Sequence, residues 1–163
     1  MGPNAHFALR DTAAALLSSI ARRYGQNATT LKPRIARSCL KAFLDSHKPF
    51  GAHYGAVLGL LGISGPAGVR TLIVPNLKAY DLVLKAGLAD AQQKESAERV
   101  VQALMAALES LERDSVHTMN GHPEGDELKT RLIDAIGEVM GTKVHELGRS
   151  SLVSAVLERD VAL

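Results

Sequence analysis

The chain has 163 residues, 46% of them hydrophobic but only 4% aromatic, with no Trp. That length fits one domain or one repeat array and excludes two large catalytic lobes, and the composition suits close helix contacts. Its single cysteine, Cys39, excludes an intramolecular disulfide framework and a thiolate-only zinc site. The net charge of +2 conceals an asymmetry: residues 1–85 hold 11 Lys/Arg and 3 Asp/Glu, and residues 86–163 hold 8 and 14, so the first half should attract acidic partners.

Residues 1–5 read as a tail or an expression scar, and residues 6–163 as a single domain. The first ten residues lack the charged-then-apolar pattern of a signal peptide, and no apolar stretch approaches the ~18 uninterrupted residues of a membrane span. A soluble intracellular chain without a membrane partner is therefore expected. Leu9, Ala13, Leu16, Leu17, Ile20 and Tyr24 recur at helical spacing and predict a helix over about 8–24 whose apolar face points inward, stopped by Gly25. Thr29 and Thr30 can supply the next N-cap, with Pro33 in the tolerated first turn of a helix over about 31–45. A third helix over about 50–61 carries Gly51, Gly55 and Gly59 four apart, which predicts a close approach by a neighbouring backbone.

Gly62 is expected to close that helix and Ser64 and Pro66 to open a fourth, about 66–85, which Pro75 should kink or split. Val100, Leu104, Ala107, Leu108 and Leu111 make the clearest stripe in the chain, in a helix over about 90–113. Residues 115–126 lack a period and read as an exposed loop, followed by helices over about 127–140 and 142–159 separated by Gly141. No segment combines strand alternation with β-branched enrichment. The fold class is all-α.

Self-similarity refines this. Leu31–Ile35 and Ala67–Leu72 open two helices 36 residues apart, and Tyr54–Leu61 resembles Leu9–Leu17 in pattern. A helix pair of about 35 to 45 residues is the HEAT-type unit, so the expected architecture is a short right-handed helical-repeat solenoid of about three pairs and a leading half-pair. An irregular helix bundle carries the same stripes and is the alternative.

Three blocks sharpen the reading: His6–Asp11 with Ala13, Leu16 and Leu17; Phe50–Leu60; and Thr71–Leu77. In sequence, order and spacing they resemble the C-terminal HEAT-repeat domains of TFIID subunit six, a family also found in SAGA-type coactivators. The likeness covers residues 6–80, and residues 86–163 match only as helices. The family pattern has Trp at Phe7 and Phe50 and Arg at His53; phenylalanine keeps the apolar filling, whereas histidine does not replace a permanent cation. The family's N-terminal histone fold is absent, which implies a fragment of a longer protein.

No nucleophile with a base, paired-carboxylate cleft or metal cluster emerges, so no catalytic residue, cofactor, metal or small-molecule substrate is expected. His117 and His122, with Glu124 and Asp126 nearby, read as a solvated loop, Cys39 as a small core residue, and Gly62–Gly68 as helix punctuation rather than a phosphate cradle. The basic set Arg22, Arg23, Lys32, Arg34, Arg37, Lys41 and Lys48 includes a ridge, Arg34, Arg37 and Lys41, on one helix face. A solvated face is the plain reading of this ridge; an acidic protein partner or DNA phosphates are the functional ones. Arg10, Arg34, Arg37, Lys41, Lys48, Phe50, His53 and Tyr54 are the candidate partner-binding residues, with Phe50 and Tyr54 as anchors if exposed. What the resemblance implies is a nuclear, non-catalytic scaffold that holds other subunits of TFIID or SAGA-type complexes in RNA polymerase II transcription initiation. The alternatives are a basic helical module making weak contact with promoter DNA, and a HEAT adaptor of an unrelated complex.

Overall fold

A computed structural model describes residues 5–114 and 125–158. The helices are α1 (Ala5–Tyr24), α2 (Leu31–Leu44), α3 (Phe50–Gly68), a π-helical turn (Val69–Ile73), α4 (Val74–Ala89), α5 (Lys94–Asp114), α6 (Asp126–Ile136), α7 (Glu138–Leu147) and α8 (Ser150–Leu157). The described residues contain no strand. Sequence neighbours pair, α2 with α3, α4 with α5 and α6 with α7, while alternate helices also stack, α1 on α3, α3 on α5 and α4 on α6. Pairing to one side and stacking to the next is how a HEAT array buries faces that no single pair can bury, and it distinguishes this fold from the alternative bundle.

Several boundaries differ from the periodicity. Gly62 lies inside α3, and the bend comes three residues later at Gly65, whose φ of 59° and ψ of −158° are accessible to glycine and strained for other residues. Pro66, which has no N–H to donate, follows it directly. Pro75 does not split a helix. It sits in the first turn of α4, and the chain enters α4 through the π turn, where the Val74 N–H reaches back five residues to the Val69 carbonyl. Phe50–Ala89 is thus one bent helical run, long and apolar enough by length and composition to cross a bilayer. Its Val57, Leu60, Val69, Ile73, Leu77 and Leu84 are fully buried against other helices, which makes it the core helix of the stack.

Near the C-terminus the break falls at Gly137, not Gly141, so α6 and α7 form a hairpin with a one-residue joint and a third helix, α8, follows. Of the loop expected at 115–126, residues 115–124, and with them His117, His122 and Glu124, lie outside the described residues; Asp126 begins α6.

The core runs the length of the stack through Phe43, Leu60, Ile73, Leu77, Leu84, Leu104, Leu108, Leu111, Leu132, Ile136, Met140 and Leu152, all fully buried. Each contributes on the order of 1.5–3 kcal/mol by leaving water. Polar latches hold the second half to the first. Arg70 donates from Nη1 to the Ala155 and Glu158 carbonyls, both at 3.0 Å, and ties the π turn to α8. Asp81, buried on α4, accepts the Val139 N–H at 2.8 Å in the first turn of α7, a bond that Gly137, lacking a side chain, cannot supply from the N-cap position. Asp81→Ala should therefore cost about 1–3 kcal/mol in urea unfolding, the penalty of one orphaned, partly buried donor. A loss below a few tenths would show that water satisfies that N–H.

A basic ridge beside an apolar groove

Helix α2 begins with Thr30 at the N-cap position, without a side-chain cap bond, and Pro33 in the first turn. Phe43 is fully buried against α3, and Ile35, Ala36, Leu40 and Ala42 are half-buried. That leaves Arg34, Arg37 and Lys41 on the outer side, all exposed and in no ion pair among the described residues. Three cations along about two turns of helix repel one another modestly, so their own spacing does not stabilise α2.

The other proposed contacts separate into two groups. Lys48 is exposed in the turn between α2 and α3, and Arg10 is half-buried on α1, its Nε sealed without a hydrogen-bond partner. Phe50, by contrast, is 7% exposed, and its ring fills the space over Gly87 and stands edge-on to His53, with centroids 5.7 Å apart. His53 is 1% exposed: its Nε2–H donates to the Asp45 carbonyl at 2.8 Å, which leaves Nδ1 to accept the Tyr80 O–H at 2.7 Å. Phe50 and His53 therefore pin α2, α3 and α4 together and offer nothing to a partner, a correction to their reading as contacts. Burial pushes the Tyr80 hydroxyl well above the ordinary tyrosine range.

Tyr54 is half-buried. Its hydroxyl donates to Asp11 Oδ1 at 2.6 Å and its ring stands edge-on to buried Phe7, with centroids 5.1 Å apart. Burial, then the Asp11 carboxylate, push the Tyr54 hydroxyl up to about 12. Tyr54 and Asp11 join α1 to α3, so Tyr54 is a structural contact with only an edge left for a ligand.

Between these elements lies a feature that the stripes did not reveal. Helices α1 and α2 both pack on α3 but scarcely on each other, and the gap is an open groove of about 710 Å³. Its floor is α3, through Ala52, Gly55, Ala56 and Gly59. The walls are Ala13 and Leu17 of α1 and Leu31, Ile35 and Cys39 of α2, and Arg10, Arg34 and Lys48 are the lining cations. Among the described residues no carboxylate lines it. The glycines serve side chains more than a neighbouring backbone: Gly51 and Gly55 face Arg10, Gly59 faces the Cys39 sulfur and Gly62 faces Ser18. Burial raises the Cys39 thiol, as expected of a small packing residue.

The apolar face of α1 is also turned differently from expectation. Phe7, Ser18 and Ala21 are the buried positions, whereas Leu9, Leu16, Ile20 and Tyr24 are 66%, 60%, 39% and 51% exposed. Among the described residues no group of three or more His, Cys, Asp or Glu is placed to hold a metal ion. Gly62–Gly68 is helix on either side of the Gly65 bend, with no loop to cradle a phosphate.

Residues 2–78 match the model of the TAF6 C-terminal HEAT repeat domain. The chain is 37% identical over 155 residues, 94% of its length, to the SAGA complex/transcription factor TFIID complex subunit Taf6 of Schizosaccharomyces pombe, covering 34% of that protein. It is 41% identical over 107 residues to transcription initiation factor TFIID subunit 6 of Arabidopsis thaliana, 63% of this chain and 19% of that one. It is 37% identical over 113 residues to the mouse TAF6-like RNA polymerase II p300/CBP-associated factor-associated factor 65 kDa subunit 6L, 66% of this chain and 18% of that protein. The chain thus spans about a third of the length of the first of these relatives and about a fifth of the other two. No solved structure matches it.

Proposed function

Since the chain belongs, through residues 2–78, to the family of TAF6 C-terminal HEAT repeat domains, we propose that it is a non-catalytic scaffold in the nucleus. In this reading it holds other subunits of a TFIID- or SAGA-type assembly in RNA polymerase II transcription initiation. The observation that carries the reading is the ridge of Arg34, Arg37 and Lys41, exposed, without ion pairs among the described residues and set on a helix whose other face is anchored in the core. A rigid stack that presents unpaired cations is suited to complementary surfaces, where charge sets specificity and encounter rate. The mechanism is presentation of surface, with no chemical step. Contacts fall to Arg34, Arg37, Lys41, Lys48 and the outer edge of Arg10, with Phe50 and His53 holding the frame behind them.

The test is capture of the full-length protein from nuclear extract, washed at low and high salt, beside the triple variant Arg34→Glu, Arg37→Glu, Lys41→Glu. TFIID- or SAGA-type subunits should survive the high-salt wash and be lost or strongly depleted in the variant. The variant's melting temperature should be unchanged, because substitutions at exposed positions outside caps and cores are close to neutral. Recovery of nucleic acid alone, lost steeply with salt, would replace this reading by the DNA-binding one.

A further inference from the structure

We propose that the groove between α1 and α2 is the seat of an acidic amphipathic helix contributed by a different polypeptide of the assembly, an inference that rests on the scaffold reading. Two features of the groove select that occupant. Its interior is small and apolar, and its floor follows α3 from Ala52 to Gly59, seven residues or about 10 Å, two turns of a helix laid alongside. It therefore receives side chains repeating at three and four residues, the pattern by which a helix fills a groove.

The surroundings extend both chemistries in one direction each. On the α1 side the wall formed by Ala13 and Leu17 continues outward into exposed Leu16 and Ile20, which lie on adjoining positions of the same helix. On the α2 side Arg34 lines the groove, and Arg37 and Lys41 continue the positive charge along the outer face. At the α3 N-terminal end stand Arg10 and Lys48, and neither cation forms an ion pair among the described residues. The fitting ligand has an apolar stripe with Asp or Glu along one flank, so that burial supplies affinity and the charges set its polarity in the groove.

Other occupants fit less well. Nucleic acid would meet cations on one flank and hydrocarbon on the other, with no aromatic platform on the groove's lining. A second copy of the chain has its acidic helix in α5, but the apolar stripe of α5, from Val100 to Leu111, is already buried in its own core.

The test places the photo-crosslinking residue benzoylphenylalanine at Ser38, exposed on the groove wall, and as a control at Lys143, exposed on α7, in the full-length protein assembled in cells. Mass spectrometry of the Ser38 adduct should identify a segment of another polypeptide with Leu, Ile or Phe at helical spacing and carboxylates on one flank. Ala13→Trp, which fills the groove from an exposed position, should reduce that adduct about tenfold while the melting temperature holds. Arg34→Glu with Lys48→Glu should do the same without adding bulk. A Ser38 adduct to nucleic acid, to a second copy or to a non-helical segment, or no adduct beyond the Lys143 control, overturns the inference. If subunits still co-purify in those cases, the scaffold reading stands and only the groove assignment fails; if no subunits co-purify, the scaffold reading itself has failed.

Discussion

Gly141→Ala is expected to destabilise the C-terminal half by about 1–2 kcal/mol net, although alanine is the better helix former. Gly141 lies in the first turn of α7, where its backbone crosses α6. A Cβ added there would stand 2.8 Å from the Ile133 nitrogen, 2.9 Å from its Cα and 2.9 Å from the Leu132 carbonyl carbon. All three are main-chain atoms, which cannot turn aside as a side chain can, and the one-residue joint at Gly137 gives the hairpin little length in which to open. Overpacking of this kind costs about 1–3 kcal/mol and sometimes more, against a helix-propensity gain for alanine of about 1 kcal/mol. Here the clash wins. Gly55→Ala is the contrasting case: its nearest neighbours are Arg10 side-chain atoms at 3.6–3.8 Å, ordinary contact, so propensity should decide and the change should be neutral or slightly stabilising. Urea unfolding of the two variants side by side checks both signs. Equal effects would mean that α6 and α7 separate freely and that the close crossing is not specified.

The second large effect is expected at His53, which sequence reasoning assigned to a partner. His53→Ala removes a ring packed against Phe50 and Tyr80 and two hydrogen bonds, one to the Asp45 carbonyl just past α2 and one from the Tyr80 hydroxyl on α4. The alanine leaves a cavity between three helices and a buried hydroxyl without an acceptor, so about 3–5 kcal/mol should be lost. That is a large share of the stability of a domain of this size. Tyr80→Phe isolates one component: it keeps the ring and orphans only His53 Nδ1, and should cost about 1–3 kcal/mol. A His53→Ala variant that unfolds at the wild-type urea concentration would show that the imidazole is dispensable, and would reopen it as a surface group.

The all-α class and the helical repeat were legible because a 3.6-residue period needs only local information. In α5, Val100, Leu104, Leu108 and Leu111 share a face in any helix, and a face so apolar has to be buried somewhere. The ridge of Arg34, Arg37 and Lys41 was legible for the same reason, since residues three and four apart lie side by side. Periodicity says which residues share a face but not what that face meets. On α1 the stripe Leu9, Leu16, Ile20 and Tyr24 looked like core, yet the described structure packs this helix on α3 alone to any extent, and the opposite side, Phe7, Ser18 and Ala21, became the contact. Phe50, an anchor if exposed, and His53, a candidate partner contact, are core instead, because Gly87 leaves room for the Phe50 ring and Tyr80, 27 residues away from His53, meets the imidazole. The groove has no sequence signature at all, because it exists where α1 and α2 both choose α3 and neglect each other. Local chemistry sets the helices and their stripes; which stripe is buried, and where a gap is left, follows from helix-to-helix fit between residues far apart in the chain, and only the folded stack contains that information.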